Sequence, residues 1–242
     1  MHGPEPELVT AQVQQALAED LGDGDLTAAL VPEHAAARAR VIVREAAILC
    51  GLDWFNEVFH QLDPAIELKW SAKDGDALQP GQLVCELTGK ARPILSGERT
   101  ALNFLQTLSG TASLAGRYVK AVQGTCATIL DTRKTIPGLR LAQKYAVRCG
   151  GAGNHRFGLY DAILIKENHI RAAGSIMAAM RAATAAAEEG VMIEVEVESL
   201  KELDQALAAG ARRVLLDKFD NAALREAVHR NAGRAKLEAS GG

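Results

Sequence analysis

Apolar positions first recur at helical spacing near the start of the chain. Val9, Val13, Ala16 and Leu17 share one face and predict a helix over residues 8–21. Gly22-Asp23-Gly24-Asp25 breaks it. Arg40-Val41-Ile42-Val43-Arg44 reads as a strand. Residues 66–95 read as short strands, with turns at Lys73-Asp74-Gly75-Asp76 and Gln79-Pro80-Gly81-Gln82. This first part is a small α+β unit.

At Ser96 the pattern changes. Ala101, Phe104, Leu105, Leu108, Ala112, Ala115, Val119 and Val122 recur at helical period and predict a long helix over 97–123. Ser96 is its expected N-cap, Glu98 suits the first turn, and Gly124 ends it. The domain boundary is placed at its start, giving domains over 1–96 and 97–242. Beyond it, short apolar strands at 127–130, 163–165, 192–197, 213–216 and 235–238 alternate with helices. One helix is expected to open at Ser199, with Glu202 completing a capping box, and to end at Gly210. Another covers about 221–231. Repeated β/α units imply a parallel sheet with right-handed crossovers. An α/β barrel is the simplest closure, and its active site would lie at the C-terminal strand ends.

Composition narrows the function. With 242 residues, the chain can bury one or two cores. Its 48% apolar and 24% charged residues are ordinary for a globular protein. A net charge of −3 and 4% aromatic residues argue against a nucleic-acid partner. No apolar run is long enough to span a bilayer, and the first residues lack a signal-peptide pattern. The expectation is a cytoplasmic protein without a membrane partner. Cys50, Cys85, Cys126 and Cys149 form no Cys-x-x-Cys motif and are expected to be reduced thiols.

Charge is unevenly placed. Residues 131–171 hold eight Lys/Arg and three acids, a local charge of +5 in a chain of −3. Arg133 and Lys134 follow the strand over 127–130, and Lys166 ends the strand over 163–165. His155-Arg156 follows the Gly-rich run 150–154. Strand ends converge in a barrel, so these cations are expected to share a pocket for a small polyanion. Arg would bind carboxylate or phosphate bidentately, and Lys would act as a point charge. Arg140, Lys144 and Arg148 recur every four residues and read instead as one solvated helix face. Glu196 and Asp217 end later strands. Alternation puts Glu194 and Glu196 on one face, toward the barrel interior or mouth. Glu194 is open between a site role and a structural ion pair. Inward carboxylates opposite a cationic wall suit ribose hydroxyls, a metal, or a developing cation.

Six ordered motifs then resemble one family. They are residues 19–27 (Glu-Asp-Leu-Gly-Asp-Gly-Asp-Leu-Thr), 96–103 (Ser-Gly-Glu-Arg-Thr-Ala-Leu-Asn), 131–135 (Asp-Thr-Arg-Lys-Thr), 154–156 (Asn-His-Arg), 165–169 (Ile-Lys-Glu-Asn-His) and 237–241 (Leu-Glu-Ala-Ser-Gly). Together they are similar to quinolinate phosphoribosyltransferase, over essentially the whole chain. The resemblance implies an N-terminal α/β sandwich followed by an α/β barrel. It implies phosphoribosyl transfer from phosphoribosyl pyrophosphate to quinolinate with decarboxylation, yielding nicotinate mononucleotide for NAD synthesis.

The resemblance also implies the site. Thr132, Arg133, His155, Arg156 and Lys166 would bind quinolinate, joined by Arg99 from a neighbouring subunit of a homodimer or higher homo-oligomer. Lys134, His169, Glu196, Asp217, Ser240 and Gly241 would meet phosphoribosyl pyrophosphate. Glu196, Asp217, Lys134 and Lys166 would act in catalysis. Mg2+ would accompany the donor, with Glu196 and Asp217 meeting it indirectly. Lys218 follows Asp217 where the family often has Asn. The family's chain continues beyond Ser240-Gly241 into further strands and a second phosphate loop, so the barrel is expected to be incomplete at its C-terminal end. Two other readings share the fold expectation. One is a paralogue for another anionic heterocycle or for molybdenum uptake; the other is an inactive, truncated binding protein.

Overall fold

The computed structural model describes residues 3–241. The expected domain limits at residues 1 and 242 lie outside them. The chain divides into two compact units between His155 and Arg156.

The first unit contains α1 (Pro6–Leu21), β1 (Ala36–Ile42), β2 (Ala47–Ile48), α2 (Leu52–Leu62), β3 (Glu67–Trp70), β4 (Ala77–Leu78), β5 (Leu83–Lys90), α3 (Ala91–Ala121) and α4 (Arg140–Cys149). Its main sheet is antiparallel in the order β1-β5-β3, and β2 pairs with β4 in a second small ladder. Along β1 exposure alternates, so Ala37, Ala39 and Val41 meet the core while Arg38 and Arg40 face outward. The core gathers Val13 of α1, Trp54 and Phe55 of α2, Leu87 of β5, Leu108 of α3 and Tyr145 of α4.

Two helices differ from expectation. α2 was not foreseen, although Trp54, Phe55, Val58 and Phe59 sit at helical spacing and are all buried. α3 starts six residues before the expected Gly97. Pro93 lies in its first turn, where no intrahelical N–H partner is needed. Ser96 is therefore inside the helix and caps nothing; its Oγ donates to Asp25 Oδ2 at 2.6 Å. That bond holds the Asp25 carboxyl below its usual range, helped by the Ala28 amide. Gly97, the expected first residue of the second domain, packs against α2. A Cβ there would stand 2.7 Å from Leu62 and 2.9 Å from Phe59.

The second unit contains β6 (Ala162–Ile165), α5 (Glu167–Ala173), α6 (Ile176–Ala186), β7 (Met192–Val197), α7 (Leu200–Ala208), β8 (Arg213–Asp217), α8 (Asn221–Asn231) and β9 (Lys236–Ser240). The strands form one parallel sheet in the order β6-β7-β8-β9. Sequential parallel strands with returning helices are the α/β arrangement that the repeats imply. Among the described residues this sheet is open at β6 and β9. Residues 127–130, expected as a strand, form no ladder. Only Leu130 makes a bridge, parallel to Gly153. Ala127 and Thr128 are exposed, and Thr125 Oγ1 accepts the Ala127 N–H at 3.2 Å, turning the chain instead.

Val195, Val197, Val214 and Leu216 project to the helix side and bury against Ile176, Met180 and Leu203. Ser199 caps α7, accepting the Glu202 N–H at 3.2 Å. The reciprocal bond goes one residue further out than a capping box would place it: Glu202 Oε2 accepts from Glu198 N at 2.7 Å. Replacing Ser199 with Ala is expected to lower unfolding stability by about 1 kcal/mol, read as a reduced denaturant midpoint with an unchanged slope.

Among the described residues, no helix is long and apolar enough to cross a membrane. All four cysteines are free thiols, with Cys50, Cys85 and Cys149 buried. Cys50, Cys149 and Asp74 place their ligand atoms within 4.8 Å of one another. Asp74 is already engaged, accepting from Gly51 N at 3.0 Å, Leu52 N at 3.3 Å and the Tyr145 hydroxyl at 2.8 Å.

Candidate active site

In the first unit the basic residues lie on two adjoining segments. The Leu130–Gly153 bridge brings residues 131–135 beside residues 153–155. Asp131 N donates to Gly153 O at 3.2 Å. Thr132 Oγ1 accepts the Lys134 N–H at 3.0 Å, and Arg133 O accepts the Thr135 N–H at 3.0 Å, so the loop turns tightly. Arg140 braces it from α4: Nη2 donates to Arg133 O at 3.3 Å and Nε to Thr135 Oγ1 at 3.2 Å. The Arg133 side chain leaves this brace half-buried, and its Nε is buried without a hydrogen-bond partner among the described residues. Thr132 and Lys134 are exposed.

The basic face of α4 is not the solvated stripe that its spacing implies. Lys144 is 1% exposed. Its Nζ pairs with Asp131 and donates to His155 O at 2.8 Å. Arg148 is half-buried, with its guanidinium 5.7 Å from the Tyr145 ring centroid. Four-residue spacing shows that the three cations share a face. It does not show what covers that face.

In the second unit the sheet has one apolar side and one charged side. Opposite the helices, β7 carries Glu194 and Glu196, β8 carries Arg213 and Asp217, and β9 carries Glu238 and Ser240. Nearer the strand starts, Arg213 lies 3.7 Å from both Glu194 and Glu238. Glu194 thus has the structural ion pair that was one of its two readings. At the C-terminal ends stands a second charged layer. Lys166, just after β6, binds Glu196 Oε2 at 2.8 Å; the lysine is 46% exposed and the carboxylate 11%. Asp217 ends β8 opposite Ser240 of β9.

The Asp217 turn is unusual. Lys218 has φ +60°, a left-handed conformation that a non-glycine residue seldom adopts and that Asn tolerates better. Its N–H donates to Ser240 O at 3.1 Å. Gly241 passes so close that a Cβ would lie 2.8 Å from Lys218 N and 2.9 Å from Asp217 Oδ1. Lys218 Nζ donates to Glu198 Oε1 at 2.7 Å. That bond holds the Glu198 carboxyl below its usual range and the Lys218 ammonium above its own. Glu198 and Arg213 carry no motif and were missed as site neighbours, although both fall at or beside strand ends.

Comparison with known proteins decides the family. Residues 25–109 match the family model "Quinolinate phosphoribosyl transferase, N-terminal domain", and residues 111–242 match the corresponding C-terminal domain. The chain belongs to the quinolinate phosphoribosyltransferase family. It is 43% identical over 224 residues to the probable nicotinate-nucleotide pyrophosphorylase [carboxylating] of Bacillus subtilis, covering 93% of this chain and 78% of that one. It is 44% identical to the nicotinate-nucleotide pyrophosphorylase [carboxylating] of Mycobacterium leprae, covering 95% and 83%. The solved nicotinate-nucleotide pyrophosphorylase of Francisella tularensis superposes with a TM-score of 0.96 at 48% identity, over 99% of this chain and 85% of that one.

The remaining residues expected of a quinolinate phosphoribosyltransferase occupy distinct places. Arg99 is exposed on α3. Arg156 opens the second unit, and its Nη1 donates to Ala162 O at 3.1 Å, at the start of β6 rather than its end. His169 is exposed in the first turn of α5, where Nδ1 accepts the Lys166 N–H at 2.9 Å. A neutral His169 therefore carries its proton on Nε2. The structure gathers Thr132, Arg133, Lys134 and His155 on adjoining segments of the first unit. It gathers Lys166, Glu196, Asp217, Ser240 and Gly241 at the strand ends of the second.

Proposed function

We propose that this protein transfers the phosphoribosyl group of phosphoribosyl pyrophosphate to the ring nitrogen of quinolinate. Pyrophosphate and carbon dioxide leave, and nicotinate mononucleotide remains. One observation carries the reading beyond family membership: the Arg133 Nε is buried and has no hydrogen-bond partner among the described residues. A buried guanidinium donor without a partner suits a ligand carboxylate, and quinolinate offers two adjacent ones.

The chemistry divides between the segments. Thr132, Arg133, His155, Arg156 and Lys166 hold the dicarboxylate. Lys166 spends one of its three N–H donors on Glu196, and the other two serve the substrate. As the bond to pyrophosphate breaks, positive charge grows at the anomeric carbon, and the Glu196 and Asp217 carboxylates stabilise it. Lys134, His169, Ser240 and Gly241 receive the phosphates. Once the ring nitrogen is alkylated its positive charge stabilises the carbanion left by carbon dioxide, the flanking cations assist, and a proton from solvent then completes the vacated ring carbon. Two strand-end carboxylates beside a pyrophosphate are a donor set that suits Mg2+, which takes few protein ligands and several from phosphate and water. When bound, Mg2+ offsets charge on the leaving pyrophosphate.

Arg99 has no hydrogen bond or ion pair within this chain among the described residues, which supports its assignment to the site of a neighbouring subunit in a homodimer. Three buried free thiols support a reducing, cytoplasmic setting.

The test is release of labelled carbon dioxide from quinolinate labelled at its 2-carboxyl, with phosphoribosyl pyrophosphate and Mg2+ present. Donor-dependent release with formation of nicotinate mononucleotide supports the proposal. Turnover of another anionic heterocycle in its place would support the paralogue reading. Binding of quinolinate without turnover would leave a binding protein.

A further inference from the structure

We propose that the buried Asp131–Lys144 ion pair is a positioning device that fixes His155 for substrate, without itself contacting quinolinate. This rests on the reading of His155 as a quinolinate ligand. Neither member of the pair belongs to the expected ligand set, and α4 presents Lys144 as though on a solvated face.

Contacts from both members of the pair converge on the segment that carries His155. Asp131 Oδ1 accepts the His155 N–H at 2.8 Å, and Lys144 Nζ donates to the His155 carbonyl at 2.8 Å. Both backbone polar atoms of one residue are thus held by the two halves of one ion pair. Asn154 closes the ring: its Nδ2 donates to Asp131 Oδ2 at 2.6 Å and to Lys144 O at 2.9 Å. The side chains of Lys144 and Asp131 are 1% and 8% exposed.

Stability alone is a poor account of such a pair. Desolvating two charges offsets most of their attraction, and apolar replacements of similar volume often serve as well. What the pair supplies is geometry. It fixes the peptide from which the imidazole departs. It is also neutral as a unit, so it adds no net field to a pocket built for a dianion.

That neutrality makes the proposal testable. Lys144→Met leaves an uncompensated carboxylate, and Asp131→Asn leaves an uncompensated ammonium. A purely electrostatic role would move the quinolinate KM in opposite directions in the two variants. Positioning moves it the same way. We expect both variants to raise the quinolinate KM on the order of 10- to 100-fold, as a displaced ligand group does, with the phosphoribosyl pyrophosphate KM within about twofold of wild type. Asn154→Ala, which changes no charge, should raise the quinolinate KM in the same direction and serves if either charge variant fails to fold. In a His155→Ala background these effects should vanish, because the residue being positioned is gone.

Opposite shifts in the two charge variants, or equal shifts with His155 absent, would overturn the proposal while leaving His155 a ligand. So would an unchanged quinolinate KM beside a lowered melting temperature. If His155→Ala itself leaves the quinolinate KM at the wild-type value, the ligand reading fails and the proposal falls with it.

Discussion

Arg133→Ala is expected to lower kcat/KM for quinolinate by about 10²- to 10³-fold, the effect of removing one member of a buried charge pair worth about 3–4 kcal/mol. The size follows from where the guanidinium sits. Its Nε is buried with no hydrogen-bond partner among the described residues, so the charge is poorly solvated until a carboxylate arrives. The loop should survive the truncation. Arg140 grips the Arg133 carbonyl and Thr135 Oγ1, and neither bond uses the Arg133 side chain. The loss is therefore one of binding rather than folding. Arg133→Lys should recover little, because an ammonium cannot offer two parallel donors to one carboxylate. Initial rates of labelled carbon dioxide release against quinolinate concentration check this. An unchanged quinolinate KM in Arg133→Ala would remove Arg133 from the binding set.

Glu196→Gln is expected to lower kcat by about 10²- to 10³-fold, the cost of losing one preorganised group that stabilises transition-state charge. Glu196 is nearly isosteric with the replacement and sits on β7 between the buried Val195 and Val197, so the strand should persist. What changes is the charge at 2.8 Å from Lys166. The neutral amide no longer balances that ammonium and no longer favours positive charge at the anomeric carbon. Quinolinate affinity should hold or improve, since Lys166 is left more electropositive. Steady-state rates with phosphoribosyl pyrophosphate varied, alongside equilibrium binding of quinolinate, separate the two effects. A kcat near wild type would exclude Glu196 from catalysis.

Much of the second unit was legible in the chain. The strands over 192–197 and 213–216 come from runs of Val, Ile and Leu bounded by turn signals, and the structure forms them at Met192–Val197 and Arg213–Asp217. Period-two alternation placed Glu194 and Glu196 on one face, and the apolar partners Val195 and Val197 do face the helices. Legibility failed where a local rule met a tertiary competitor. Ser96 has the chemistry of an N-cap, but Asp25, far away in sequence, takes its hydroxyl. Residues 127–130 have strand propensity, yet they form a single bridge, Leu130 to Gly153, and no ladder. Lys144 carries the spacing of a solvated face and lies buried against Asp131, because spacing along a helix cannot say what packs on it. α2 was also readable: its bulky apolar pairs Trp54-Phe55 and Val58-Phe59 repeat at i, i+4.

The sequence by itself determined the fold class, the family and the identities of the candidate ligands. These depend on local periodicity and on residue types in order, which are properties of the chain as written. Only the tertiary structure decided how those ligands are held. It paired Lys166 with Glu196 across neighbouring strands and wedged Gly241 against Asp217 and Lys218. It also enclosed the His155 peptide between Asp131 and Lys144. Each of these joins residues more than ten positions apart. Such pairings are set by strand register and by the burial of an element against its neighbours, and neither is encoded in local spacing.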